Sequence, residues 1–160
     1  VENPLTISNY FIQKSLEDGG ELTPMKMVKL IYISHGWYLA LNDAEPLLPE
    51  AVVAWKYGPV VQTVYHAFKK YGSERITSIE FDANGQVLSI INEQTRLFLN
   101  KMWDVYKGYT GLQLSTLTHQ PGTPWDIVWN QEGGKAKQNA VIPNNLIYDF
   151  YRKKANANTA

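Results

Sequence analysis

Apolar residues recur along this chain at helical spacing, and proline and glycine cut the pattern into well-marked segments. Over about 6–18, Ile7, Tyr10 and Phe11 fall on one side, and Gly19-Gly20 closes the segment. Thr23-Pro24 then supplies a hydroxyl cap followed by proline at the first helical position, where a missing N–H costs nothing. The helix it opens, about 24–41, is apolar almost all round. Met27, Leu30, Ile31, Tyr38 and Leu41 fill one face, while Val28, Ile33, Trp37 and Leu39 spread over the others. Such a helix is expected at the centre of the fold. Gly36 within it costs about 1 kcal/mol against alanine, which implies that something packs close to the backbone there.

Beyond a proline-rich link at 46–49, Ala51-Val52-Val53-Ala54-Trp55 is too short for periodicity to choose between a strand and a helical turn. Gly58-Pro59 reads as a break, with Pro59 suited to start a helix. Val61, Val64, Tyr65, Phe68 and Tyr71 follow at i, i+3, i+4, i+7 and i+10, with Gln62, His66, Lys69 and Lys70 opposite, and Gly72 at the end. Asn84-Gly85 is a dipeptide favoured in two-residue turns and predicts a β-hairpin. That register sets Phe81 against Leu88 and Ile79 against Ile90 on one face, with Glu80–Ser89 and Asp82–Val87 on the other.

The second half is helical again. Over about 92–108 the pattern places Phe98, Met102, Val105, Tyr106 and Tyr109 inward, and Arg96, Asn100, Asp104 and Lys107 outward. A short helix from Thr110 or Gly111 carries Leu112, Leu114 and Leu117 and ends near His119. "TPWDIVW" at 123–129 repeats the Thr-cap, Pro-start signal, with Trp125, Val128 and Trp129 on one face. Residues 131–140 hold little to bury and are expected to be mobile. Pro143 starts a last helix anchored by Leu146, Ile147 and Phe150. The prediction is a mainly α protein: a single compact helical domain built round a buried central helix, with one small antiparallel β-hairpin. Its motif-bearing core spans about 5–152, and 153–160 forms a disordered tail.

Composition narrows the function. Among 160 residues, Lys+Arg and Asp+Glu both number 15, so no net field draws the chain to nucleic acid or to an anionic membrane. The basic run Arg152-Lys153-Lys154 fits a solvated last helical turn. The absence of cysteine removes disulfides, thiolate metal sites and a Cys nucleophile. No apolar run reaches the roughly 20 residues of a membrane span, and the N-terminus has no basic-then-apolar signal pattern, so a cytoplasmic protein is expected.

Three histidines are the first candidates for chemistry. His66 lies on a polar helix face beside Lys69 and Lys70, which suits a solvated side chain. His35 lies inside the apolar helix with Leu39 at i+4, so it reads as a hydrogen-bonded core residue rather than a metal ligand. "LSTLTHQPGTPW" at 114–125 gathers Ser115, Thr118, His119 and Trp125 around one turn. Hydroxyls beside an imidazole suit acyl or phosphoryl chemistry. The same residues equally suit a helix end, where Thr118 and His119 satisfy free carbonyls with Trp125 stacked on them. There is no phosphate-binding glycine loop, no paired metal-ligand spacing and no nucleophile elbow. No cofactor, no metal and no catalytic residue is therefore expected.

The remaining puzzle is "AWKYGPVV" at 54–61, two large aromatics around a lysine and then Gly-Pro. With "MKMVKLIYISHGWYLALNDAEPLL" before it and "LSTLTHQPGTPW" and "VIPNNLIYDFY" after it, the chain resembles the SocA-like antitoxin family, also called the Panacea domain and labelled phage-associated protein. The resemblance rests on Trp55, Gly58 and Pro59 after a helix bearing Gly36 and Trp37, with Ser115, Thr118, His119, Pro124 and Trp125 downstream. Ser34-His35 before Gly36-Trp37 departs modestly from that pattern. The resemblance implies an antitoxin of a bacterial or phage toxin–antitoxin pair. Such a protein neutralises a cognate toxin, encoded by an adjacent gene, by direct contact without catalysis, or hands it to a protease.

Under that reading Gly36, Trp37, Trp55, Gly58, Pro59, Ser115, Thr118 and Pro124 are scaffold. Lys56, Tyr57, His119 and Trp125 are the candidate partner-binding residues, since aromatic anchors beside a cation suit an interface centre. Two alternatives belong to other classes. One is a small hydrolase-like enzyme that uses Ser115, Thr118 and His119 to reverse a toxin's modification. The other is an operator-binding module, against which the neutral charge argues.

Overall fold

The computed structural model describes residues 1–90 and 92–159. Asn3 caps α1 (Pro4–Asp18) by accepting from the Leu5 N–H, and Gly19 ends it in the left-handed conformation. Thr23 caps α2 (Pro24–Leu41), with Pro24 at its start as the sequence predicts. Thirteen of its residues are buried, including Lys26, Lys29 and His35, so it is the hub of the core. The chain then forms β1 (Val52–Trp55), β2 (Gly58–Val60), α3 (Gln62–Phe68) with a 3-10 turn at Lys69–Tyr71, α4 (Glu93–Tyr106), α5 (Gly111–Thr118), α6 (Pro124–Asp126), β3 (Ala140–Ile142) and α7 (Asn144–Thr159). The fold is mainly α. Among the described residues no helix is long and apolar enough to cross a membrane.

The close approach implied by Gly36 is real, and its partner is Tyr151 of α7. A Cβ at position 36 would lie 2.3 Å from two carbons of that ring. Tyr151 is itself wedged edge-on against Tyr32, Trp37 and Phe150, at centroid distances of 6.2, 5.3 and 5.2 Å. His35 is a core residue as expected. Its Nδ1 accepts from the Leu48 N–H and its Nε2 meets the Asn144 amide oxygen, so the proton sits on Nε2 and the ring is neutral.

Several expectations differ from the structure. The β-hairpin sits at 52–60, not at 79–90. β1 pairs antiparallel with β2, and β3 adds on the other side, giving the order β2-β1-β3. Gly58-Pro59 is thus an edge strand, where a missing N–H is tolerated, and the following helix starts at Gln62. Around Asn84-Gly85 one bridge forms, Phe81 to Val87, a residue out of the predicted register. Asp82 closes a longer loop there by accepting from the N–H groups of Asn84 and Gln86. The ladder is held by a side chain instead: the Asn9 amide donates to the carbonyls of Glu80 and Leu88, while its oxygen accepts from the Glu80 N–H at 2.7 Å.

In α4 the inner stripe is Thr95, Leu99, Met102, Trp103 and Tyr106, whereas Val105 and Tyr109 are exposed. Trp103 turns the helix that way, because it stacks on Phe11 and its indole N–H donates to Asp18. Finally, 131–140 carries a 3-10 turn at Gly134–Ala136 and leads into β3, three residues too short for a periodic signal. α7 runs through most of the segment read as a tail; Ala160 lies outside the described residues.

Asn9→Ala should therefore release 79–90 without unfolding the helices. It removes three partly buried hydrogen bonds, each worth about 0.5–1.5 kcal/mol net. Hydrogen exchange at the Glu80 amide should accelerate while α2 amides keep their protection; unchanged exchange at Glu80 would contradict this role.

Candidate functional site

The aromatic-Gly-Pro stretch is the β1–β2 hairpin, and three elements hold it from below through its own carbonyls. The Trp125 indole N–H donates to the Trp55 carbonyl at 2.6 Å. The Ser115 hydroxyl donates to the Tyr57 carbonyl at 2.9 Å. The Lys29 Nζ donates to the Pro59 carbonyl at 2.8 Å. Three alternate carbonyls, at 55, 57 and 59, thus meet three side-chain donors from α6, α5 and α2. Gly58 takes φ +120°, and a Cβ on it would stand 3.0 Å from the Lys29 nitrogen. Glycine is required there by backbone conformation and by space together.

Local sequence explains each position. Thr110 and Gln113 form a reciprocal capping box that starts α5 and faces Ser115 and Thr118 inward one turn later. Thr123 caps α6 with Pro124 at its first position, and this swings Trp125 beneath the hairpin. The Thr118 hydroxyl lies 2.9 Å from the Leu114 carbonyl and 3.1 Å from that of Ser115. His119 caps the helix, and its Nδ1 meets the Ser115 carbonyl, which places a proton on Nδ1. Its ring then stands edge-on to Trp125, 5.4 Å between centroids, and Trp125 stacks on Trp129 at 5.8 Å. Thr118 and His119 bond to carbonyls of their own helix, in the helix-end arrangement, whereas Ser115 donates to the hairpin.

The structure therefore gathers Trp55, Lys56, Tyr57, Gly58, Pro59, Ser115, Thr118, His119, Pro124 and Trp125 at one corner. Gly36 and Trp37 lie apart from it, in the core between α2 and α7, where the Trp37 indole N–H donates to the Tyr106 hydroxyl at 2.8 Å. Within the corner, exposure divides the residues. Trp125 is buried and His119 half-buried, whereas Lys56 is exposed and Tyr57 is 65% exposed at the hairpin tip. The Lys56 ammonium lies over the Tyr57 ring, 5.5 Å from its centre. Trp55 is half-buried, braced by Tyr65 at 4.8 Å and by a 2.8 Å hydrogen bond from its indole to Asn139.

Lys29 is the member that sequence reasoning missed. It is 4% exposed, and burial lowers its pKa to about 7. The available signal was a lysine inside a helix apolar on every side: a charge there must find a partner or lose its proton. Lys26, three residues earlier, follows the same logic. It donates to the Lys107 carbonyl at the end of α4 and lies over the Trp103 ring, and burial lowers its pKa too.

The family model described as antitoxin SocA-like, Panacea domain, matches residues 27–126, a span that opens just before Lys29 and closes just after Trp125. Antitoxin SocA of Caulobacter vibrioides (strain NA1000 / CB15N) is 25% identical over 159 residues, covering 91% of this chain and 80% of that protein. No solved structure matches the chain.

Proposed function

The chain belongs to the SocA-like antitoxin family of Panacea-domain proteins, and from that premise we propose that it neutralises a cognate toxin in the cytoplasm by direct protein–protein contact, without catalysis of its own. The observation that carries this reading is the division of labour at the corner. The groups that would serve chemistry, Ser115, Thr118 and His119, are bonded to main-chain carbonyls, Ser115 to that of Tyr57 in the hairpin and the other two to those of their own helix. The groups left outward at its tip, Lys56 and Tyr57, are a cation and an aromatic ring, a pairing suited to an interface anchor. Trp125 acts on the partner through the hairpin it holds, and His119 through the Trp125 ring that it meets edge-on. The toxin is the product of an adjacent gene.

Titrating that gene product with the purified protein tests the proposal. Toxin activity should fall linearly and vanish near equimolar protein, with no metal or nucleotide added. Protection by trace amounts, with turnover, would overturn it. Tyr57→Ala should keep the unfolding midpoint and weaken neutralisation at least about tenfold, as truncation of an aromatic anchor does.

A further inference from the structure

The hairpin tip overhangs a groove whose lining specifies what it can hold. Met25 and Val28 of α2, Val60 of β2, Tyr65 of α3 and the rings of Trp55 and Tyr57 enclose about 390 Å³. The basic side chains lining it are Lys29, Lys56 and Lys69, and among the described residues no carboxylate lines it. Lys56 and Lys69 form no ion pair with a carboxylate among the described residues; Lys69 leans on the His66 ring at 3.3 Å. A chain of zero net charge therefore sets two exposed cations, Lys56 and Lys69, on the rim of one apolar trough, with the Lys29 amine buried beneath it. An apolar floor excludes a ligand that is charged throughout, and a cationic rim excludes a purely greasy one. The complementary occupant carries apolar side chains for the floor and carboxylates for the rim.

Resting on the antitoxin reading, we propose that this groove is the toxin-docking site and that it takes an acidic, apolar peptide segment of the toxin. An aromatic or aliphatic side chain of that segment packs on Val28, Trp55 and Val60, and its flanking carboxylates face Lys56 and Lys69. Tyr57 closes over the segment from the hairpin tip. An organic phosphate is the competing occupant, and the wide apolar lining disfavours it.

The test is an NMR titration of the full chain with the acetylated, amidated peptide Glu-Phe-Asp-Leu, its Gln-Phe-Asn-Leu isostere, and ATP. The acidic peptide should shift the Trp55 indole N–H and the amides around Val28, Tyr57 and Val60. The isostere should bind about fivefold more weakly, as should the acidic peptide to the Lys56→Glu, Lys69→Glu double variant, the loss expected of two partly exposed ion pairs. No shifts at millimolar peptide, shifts centred elsewhere, equal binding of the isostere, or tighter binding of ATP would each overturn the proposal. Peptide failure beside intact equimolar neutralisation removes the groove and leaves the antitoxin reading standing. Failure of the unsubstituted protein to neutralise removes the antitoxin reading and, with it, the identity of the groove's occupant.

Discussion

Gly36→Ala is expected to destabilise the protein by about 2 kcal/mol or more, although the same change in an exposed helix would stabilise it by about 1 kcal/mol. The reversal comes from Tyr151, whose ring occupies the space of the missing methyl, with two carbons 2.3 Å and a third 2.9 Å from the position of a Cβ. Retreat of the ring would be inexpensive if its far side were open. Tyr32, Trp37 and Phe150 all pack on it, so α7 must move away from α2 as a unit. Denaturant midpoints of the parent, Gly36→Ala, Tyr151→Leu and the double variant form a thermodynamic cycle. The two changes should couple strongly, with alanine much less harmful beside leucine. A Gly36→Ala protein as stable as the parent would show that the packing is looser than described.

The second large effect is a rise in stability on the alkaline side of neutrality. Lys29 has an ordinary pKa of 10.5 in the unfolded chain and about 7 when folded. Between those values the unfolded chain holds the proton and the folded one does not, so raising the pH favours folding. The contribution is complete above the unfolded value and is lost as pH falls through about 7. At roughly 1.4 kcal/mol per pKa unit, the gain from about pH 7 to about pH 9 is on the order of 2–3 kcal/mol. Lys26, whose pKa burial also lowers, adds to it with the same sign. His35, lowered mainly by burial, extends the loss into the acid range below its ordinary 6.5.

The buried tyrosines set the upper limit. Burial raises Tyr32, Tyr106 and Tyr151 above 10.0, so their contribution is present below that value and lost as pH climbs through the raised ones. The profile should be a dome with its crest near pH 9–10. Lys29→Met should flatten the alkaline rise, while costing about 1–3 kcal/mol at the crest because the Pro59 carbonyl loses its donor. Parallel profiles for the parent and Lys29→Met would exclude Lys29 as the source.

The elements that could be read in the sequence are those whose cause is local. Thr23, Thr110 and Thr123 announce their helices because a cap acts within three residues. Gly36 declared a close neighbour, though not which one, since Tyr151 lies more than a hundred residues away in the chain. Features set by distant partners were misread. Pro59 looked like a helix start because its edge-strand position depends on β1 alone pairing with it, and its carbonyl on Lys29. Trp103 was passed over because Val105 and Tyr109 make an equally good helical stripe until Phe11 and Asp18 decide the rotation. Asn9, a polar residue in a helix, gave no sign that its amide would stand in for a strand pair. At the candidate site the sequence sets Lys56 and Tyr57 apart from the scaffold positions, but it groups the buried Trp125 with them and omits Lys29, because burial there follows from which carbonyl each donor reaches.

Those donors also fix an order of assembly. Lys29 precedes the hairpin in the chain, while Ser115 and Trp125 follow it by more than fifty residues. During synthesis the tip emerges early yet cannot be locked until the ribosome has released residue 125, and the third strand comes later still. A polypeptide stopped short of that point displays the hairpin unsupported, so the locked hairpin exists only on molecules translated beyond residue 125, and the complete sheet only on those translated beyond residue 142.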